Sequence, residues 1–343
     1  MKLRNKEIGN FREPLFVAEI GCNYDGDIAL AKELIRKAKD IGCDYAKFQS
    51  FDKDSLFIEA FYKQNPGDLP GETLEETLDR LTLKNDDLKE LSSFCRDTAI
   101  GFASTPVSTT FVDSLMALDV DFLKIASFDL NNLPLLKYAA EQGRPIVLSV
   151  GLGTLQEIEE AVETIFSTGN RHLILMHCAA AYPPKDANIN LNNIDLLRDY
   201  FHLPIGFSDH TLGFSVCLAA IAKGACVIEK HFTYDNTLET GDHFISANQE
   251  EMKIIVEQGK RIIAALGQYQ RIISNDDIEF RKILRRSVVS VGEIKSGATI
   301  TEEMIDCKRP GTGIQLHEIP YLLGRRVNRE IGANELISWT DLD

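Results

Sequence analysis

Short apolar runs and amphipathic stretches alternate along most of this chain. Strand-like runs occur at "LFVAEIG" (15–21), "DYAKFQS" (44–50), "GFASTPV" (101–107), "FLKIAS" (122–127), "PIVLSVG" (145–151), "LILMHCA" (173–179), "PIGFSDH" (204–210) and "CVIEKHF" (226–232). Between them lie helical patterns such as 28–42, 86–99 and 155–169, several ending on the glycine that a helix C-cap favours. A long helix is predicted over 248–267. Eight buried strands alternating with helices predict a parallel (β/α)8 TIM barrel. The competing doubly wound sheet is less favoured, because no GxGxxG follows the first strand and the span is close to the roughly 250 residues of a barrel. The long stretch 53–83 falls after strand two, on the rim where barrel sites are built.

Beyond residue 285 the texture changes to short β-like runs broken by glycine, with "NELISW" as a last strand. The expected organisation is a barrel over 1–270, a linker over 271–284 and a small β-rich domain over 285–343. A domain of that size is marginal alone and needs something to pack on.

Charge and cysteine usage narrow the class. The chain has 343 residues and a formal net charge of −15, which argues against a general nucleic-acid or anionic-membrane partner. A few lysines in a pocket can still bind a small anion. The longest membrane-like stretch without a charge, "TLGFSVCLAAIA", is shorter than the roughly 20 residues of a spanning helix, and the N-terminus has no signal-peptide core. Seven cysteines without a CxxC pair read as reduced thiols, so a cytoplasmic protein is expected.

Strand alternation selects the residues that meet at the C-terminal ends of the strands. They are Glu19; Lys47 and Gln49; Thr105; Lys124, followed by Ser127 and Asp129; Ser149; Ser208 and His210; and Glu229 and His231. His177 ends strand six, and Tyr182 follows it. Charged side chains inside apolar strands are costly unless paired, so their arrival at one rim points to a site. His210 and His231 close neighbouring strands, about 4.8 Å apart. Two imidazoles at that spacing suit one exchangeable divalent metal of the Mn²⁺ type, with Mg²⁺ or Co²⁺ as alternatives and carboxylate or water completing the shell. Asp242 and His243 are further ligand candidates. Asp209 alternates to the other face and reads as support. Lys47 and Lys124 read as anion binders; a Schiff-base lysine is the rival.

The motifs "AEIGCNYDGD", "AKFQSF", "FASTP", "LKIAS", "HCAAAYPP", "GFSDHTLG", "VIEKHFT" and "KRPGTGI" together resemble the sialic acid synthase family, in order and over nearly the whole chain. The resemblance implies a barrel joined to an antifreeze-like (SAF) domain in a domain-swapped homodimer. It implies condensation of phosphoenolpyruvate with an open-chain N-acetylated amino sugar, giving a nine-carbon keto acid and phosphate by C–O cleavage. By motif, His210 and His231 hold the metal, and Lys47, Lys124, Thr105, Ser127, Ser149 and Ser208 hold phosphoenolpyruvate. Glu19 and Asp242 bind sugar hydroxyls or move protons, with Glu229 among the charged strand-end groups and Asp129 as a shorter carboxylate base. Gln49 and Tyr182 line the pocket, and Arg309 reaches a partner subunit's sugar site. Alternatives are another phosphoenolpyruvate-dependent aldol synthase and a non-catalytic carbohydrate-binding or regulatory homologue. The chain departs from the family at Tyr24 (usually histidine), Phe128-Asp129 (often Gly-Glu) and Ala179–Ala181 (usually polar), and it lacks the usual proline before Asp242. These positions are expected to face the sugar, so an altered acceptor is expected.

Overall fold

The computed structural model describes every residue except Glu239. Two compact units divide at Gly267/Gln268. The first holds eight parallel strands: β1 (Leu15–Gly21), β2 (Tyr45–Ser50), β3 (Gly101–Pro106), β4 (Leu123–Ile125), β5 (Ile146–Ser149), β6 (Leu173–Cys178), β7 (Ile205–Asp209) and β8 (Val227–His231). Hydrogen-bonded neighbours run β3-β2-β1-β8-β7-β6-β5-β4. The two ends of that run, β3 and β4, lie side by side, so the barrel is nearly closed. One register shift interrupts the β1–β2 ladder between Glu19 and Gly21.

Helices follow the strands: α1 (Ile28–Ile41), α2 (Asn85–Asp97), α3 (Thr109–Ala117), α4 (Leu133–Glu141), α5 (Leu155–Ser167), α6 (Asn192–Phe201), α7 (Ser215–Ala222) and α8 (Gln249–Leu266). Their ends carry the expected chemistry. Asp27 caps α1, Thr154 with Glu157 and Asn248 with Glu251 form capping boxes, and Gly42 closes α1 at φ 94°.

Period-two alternation sorts the strand side chains into two cores. Phe16, Ala18, Ile20, Phe48, Leu148, Leu175 and Phe207 face out and pack with the helices. Leu15, Val17, Tyr45, Ala103, Phe122, Val147, Ile174, Met176 and Val227 fill the lower barrel, where Leu3 and Ile8 of the N-terminal hairpin join them. The filling is tight. A Cβ on Gly206 would lie 2.2 Å from the Met176 sulfur, and one on Gly101 would lie 2.2 Å from the Tyr45 ring. Polar interior side chains begin one layer above, so the charged residues sit on a packed apolar floor.

On the outer face Lys230 and Asp209 form a fully buried ion pair at 2.9 Å. Asp209 also accepts from the Thr211 N–H at 3.0 Å and the Thr211 hydroxyl at 3.1 Å, and Lys230 donates to the Thr211 carbonyl. The pair fixes the backbone on both sides of His210. Asp209→Ala would leave a buried lysine uncompensated, which costs about 3–5 kcal/mol. Denaturant unfolding should show that loss.

The stretch 53–83 folds as three short helical segments, Lys53–Leu56, Glu59–Tyr62 and Leu74–Leu81, over a small apolar cluster of Phe51, Tyr62, Leu78, Leu81, Val107 and Phe111. Tyr24 belongs to the fold rather than to the sugar-facing positions where it was expected. Its ring meets Phe48 edge-on at 6.1 Å, and its buried hydroxyl donates to the Leu81 carbonyl, tying β1 to the insertion.

The second unit differs from the expected plan in two places. The stretch 271–284, expected as a linker, carries a ten-residue helix, α9 (Asn275–Leu284), capped by Ser274. The "NELISW" run makes one bridge, Leu336 with Val289, because Asn334 at φ 58° turns the chain just before it. The unit's ladder pairs β9 (Ser287–Ser290) with β10 (Ile305–Lys308) over a core that includes Val288, Ile300, Ile314, Val327 and Ile337. Among the described residues no helix is long and apolar enough to cross a membrane.

Candidate active site

A cavity of about 450 Å³ opens at the C-terminal ends of the strands. Glu19, Lys47, Gln49, Thr105, Lys124, Ser127, Ser149, Tyr182, Ser208, His210, Glu229, His231 and Asp242 all line it. Interior alternation places most of them; Ser127, Tyr182, His210 and Asp242 arrive from the loops just beyond the strands.

The floor is an alternating set of buried charges. Lys47 donates to Glu19 at 2.7 Å and lies 3.6 Å from Glu229. Lys124 lies 3.6 Å from the same Glu229 and donates to the Ser149 hydroxyl at 2.7 Å. Ser208 donates to Glu229 at 3.1 Å, and Gln49 donates to Glu19 at 3.1 Å. Two cations and two carboxylates thus share one buried layer, which is how buried charge becomes tolerable. Burial works to raise the Glu229 carboxyl, but Lys124 and Lys47 outweigh it and hold the acid below its ordinary range. Burial also presses on both lysines. It wins at Lys124, whose pKa is lowered, and loses at Lys47, where Glu19 and Glu229 raise it.

The wall above carries the imidazoles. The rings of His210 and His231 are 5.4 Å apart. His210 Nδ1 lies 2.7 Å from the Ala179 carbonyl, so that nitrogen carries the proton and Nε2 keeps a free lone pair. Tyr182 stacks on His210 at 4.1 Å and meets His231 edge-on at 5.7 Å. His231 Nδ1 is buried without a hydrogen-bond partner among the described residues, and Asp242 Oδ2 lies 3.5 Å from it. An orphaned imidazole nitrogen beside a second imidazole fits a divalent ion. No group of three or more His, Cys, Asp or Glu side chains with metal-holding geometry occurs among the described residues, so the remaining positions would fall to water or substrate oxygens.

Burial, aided by the charge of His231, lowers His210 to about 4. An unfolded histidine titrates near 6.5, so between those values the unfolded chain binds the extra proton. The stability gained from a neutral His210 is therefore complete above about pH 6.5 and is lost as pH falls toward 4, a change of about 3 kcal/mol. Unfolding of chelator-treated protein across that window should show this dependence, and His210→Gln should flatten it.

Asp129, His177 and His243 lie away from the cavity. Asp129 is buried in a short 3-10 turn, Ser127–Asp129, with one oxygen bound by Asn132 at 3.0 Å; Phe128, its neighbour, lines the cavity instead. The turn swings the carboxylate into the helix layer, where burial raises its pKa. His177 faces outward, its Nε2 2.7 Å from the Ile189 carbonyl. Arg309, whose expected role is toward a partner subunit, belongs to the second unit, where its Nε donates to the Leu284 carbonyl at 3.0 Å. His243, a further metal candidate, is buried beside Thr233 and Asp25, its Nδ1 2.6 Å from the Thr233 hydroxyl. Phe128, expected among the sugar-facing departures, does line the cavity, and so do Leu56, Phe57 and Cys178, which the sequence pattern does not point to. The unusual length of 53–83 was the available signal for Leu56 and Phe57.

Known proteins match along the whole chain. The profile of the NeuB family matches residues 34–271, and that of the SAF domain matches residues 285–343. The N,N'-diacetyllegionaminic acid synthase of Legionella pneumophila is 36% identical over 98% of this chain and 97% of its own length. The N-acetylneuraminate-9-phosphate synthase of Mus musculus is 33% identical over 92% of this chain and 89% of its own. The crystal structure of the N-acetylneuraminic acid (sialic acid) synthetase from Leptospira borgpetersenii, in complex with citrate, superposes with a TM-score of 0.75 at 32% identity, covering 83% of this chain and 96% of that one.

Proposed function

The chain belongs to the NeuB family, and on that premise we propose that it condenses phosphoenolpyruvate with the open-chain aldehyde of an N-acetylated amino sugar. The products are a nine-carbon sialic-type keto acid and inorganic phosphate. The observation that carries this reading is the charged floor: two buried lysines bridged by Glu229, directly below two imidazoles, in one cavity.

The chemistry maps onto these groups. Phosphoenolpyruvate brings a carboxylate and a phosphate. Lys47 and Lys124 receive them, assisted by the hydroxyls of Thr105, Ser127, Ser149 and Ser208. Glu19 and Glu229 keep both lysines charged and aimed while the site is empty. C3 of the enol attacks the aldehyde carbon; the C=C electron pair forms the new bond, and the aldehyde oxygen becomes an alkoxide that takes a proton. Asp242, beside His231, is placed to handle that proton. Positive charge at C2 is quenched by water, whose proton goes to a carboxylate, with Glu19 the interior candidate. The C2–O bond then breaks and phosphate leaves, so one water is consumed per turnover. A divalent ion held by His210 and His231 would supply Lewis-acid polarisation of the aldehyde oxygen.

The depressed pKa of Lys124 is the one observation that favours a Schiff-base aldolase. Borohydride trapping of pyruvate on Lys124 would establish that reading. The synthase reading expects phosphate release that requires both an acylated amino sugar and a divalent ion. Sugar binding without phosphate release would overturn it in favour of a carbohydrate-binding role.

A further inference from the structure

The turn after β1 holds a buried amide that the chemistry above does not use. Asn23 is 1% exposed and does not line the cavity. Its Nδ2 donates to the Phe232 carbonyl at 3.1 Å and to the Ser246 hydroxyl at 2.8 Å. Both acceptors belong to segments that carry site residues. Phe232 follows His231, the last residue of β8. Ser246, 3% exposed, donates in turn to the Asp242 carbonyl at 2.6 Å. One amide thus holds the end of β8 directly and the Asp242 backbone through one hydroxyl.

The hydrogen bonds require this side chain. A carbonyl oxygen only accepts, so the Phe232 contact fixes which end of the amide carries the protons. The single Ser246 proton goes to Asp242, so the Ser246 oxygen accepts from Asn23. Two donors on one short planar group satisfy both partners; an ionised aspartate has none, and serine has one. The same turn meets this segment a second time, where Asp25 Oδ1 lies 3.3 Å from His243 Nε2. Backbone bonds complete the frame: the Phe232 N–H donates to the Glu19 carbonyl at 2.7 Å, and the Ala247 N–H to the His231 carbonyl at 2.8 Å. His231 and Asp242, 3.5 Å apart, therefore stand on two segments that are joined at Asn23.

We infer that Asn23 and Ser246 are positioning residues that set the spacing of His231 and Asp242. The inference rests on the synthase reading for the role of Asp242 and on the imidazole pair for that of His231. Asn23 acts on both residues, and Ser246 on Asp242 alone.

The test is a double-mutant cycle on kcat, joined to a paramagnetic titration with Mn²⁺. Ser246→Ala should lower kcat about 10–100-fold, the usual cost of a lost outer partner, with the KM for phosphoenolpyruvate and the Mn²⁺ affinity unchanged. In an Asp242→Asn background the same substitution should cost less than about twofold, because the group it aims is already gone. Asn23→Asp is nearly isosteric, but it draws the Ser246 proton to itself and sets an acceptor against the Phe232 carbonyl. It should weaken Mn²⁺ binding about 10–100-fold although it touches neither imidazole. Asn23→Ala gives the same reading should the buried carboxylate prevent folding. A Ser246→Ala loss that repeats in the Asp242→Asn background, or an Asn23 variant that binds Mn²⁺ as the wild type does, overturns the clamp and leaves the synthase reading intact. Wild-type protein that binds Mn²⁺ but releases no phosphate overturns the synthase reading, and the Mn²⁺ titration of the Asn23 variant then decides the clamp alone. Wild-type protein that neither binds Mn²⁺ nor turns over overturns both.

Discussion

Replacing His210 with alanine should lower phosphate release at least about a thousandfold, because Lewis-acid stabilisation of a developing alkoxide is worth several kcal/mol and each 1.36 kcal/mol is a factor of ten. The imidazole sits in a prepared place. The Ala179 carbonyl fixes its tautomer, Tyr182 stacks on its face, and His231 stands 5.4 Å away with an unpartnered nitrogen. Removing it leaves one imidazole, and two protein donors are already few for a divalent ion. The variant should also bind Mn²⁺ far more weakly in a paramagnetic titration. Its fold should persist, since the anchoring Asp209–Lys230 pair lies on the other face of β7 and β8. A variant with full metal-dependent activity would remove the metal assignment.

Glu229→Gln should be as damaging for a different reason. Glu229 lies 3.6 Å from both Lys47 and Lys124, so the neutral amide leaves two buried ammonium groups sharing only Glu19. Breaking a buried pair costs about 3–5 kcal/mol of stability. Lys124, already lowered by burial, should lose its proton more readily still, weakening its hold on an anion. Turnover should fall by about a thousandfold or more, on the scale of 1.36 kcal/mol per tenfold. Adding Lys124→Met removes the stranded charge, so the double variant should unfold at higher denaturant than Glu229→Gln alone while staying inactive. If the two substitutions simply add, the two side chains are uncoupled and the floor is not the charge-balanced unit described above.

Period-two alternation made much of the barrel and its interior legible. It needs only the strand's start, and it puts Glu19, Lys47, Gln49, Thr105, Lys124, Ser149, Ser208, Glu229 and His231 on one face without knowledge of the loops. It also separates Asp209 from His210, as the buried Asp209–Lys230 pair on the outer face shows. The loops obey no such rule. Asp129 follows Lys124 by five residues, and a 3-10 turn between them sends the carboxylate away and Phe128 toward the cavity. Tyr24 stands where a site residue was expected, but the turn after β1 directs it into the core, where its hydroxyl meets a carbonyl from the insertion. Phe128 was legible as a sugar-facing departure, but Leu56 and Phe57 were not, for the same reason. Leu56 and Phe57 sit at the end of a one-turn helix whose orientation is set by packing on Phe51 and Val107, not by any periodic pattern.

The most direct test of the condensation uses phosphoenolpyruvate carrying ¹⁸O in its bridging C–O–P position, with an acylated amino sugar acceptor and a divalent ion. The label should leave in inorganic phosphate, while a nine-carbon keto acid forms whose C2 oxygen comes from water. Label retained in the organic product, or phosphate released without a new carbon–carbon bond, would contradict it.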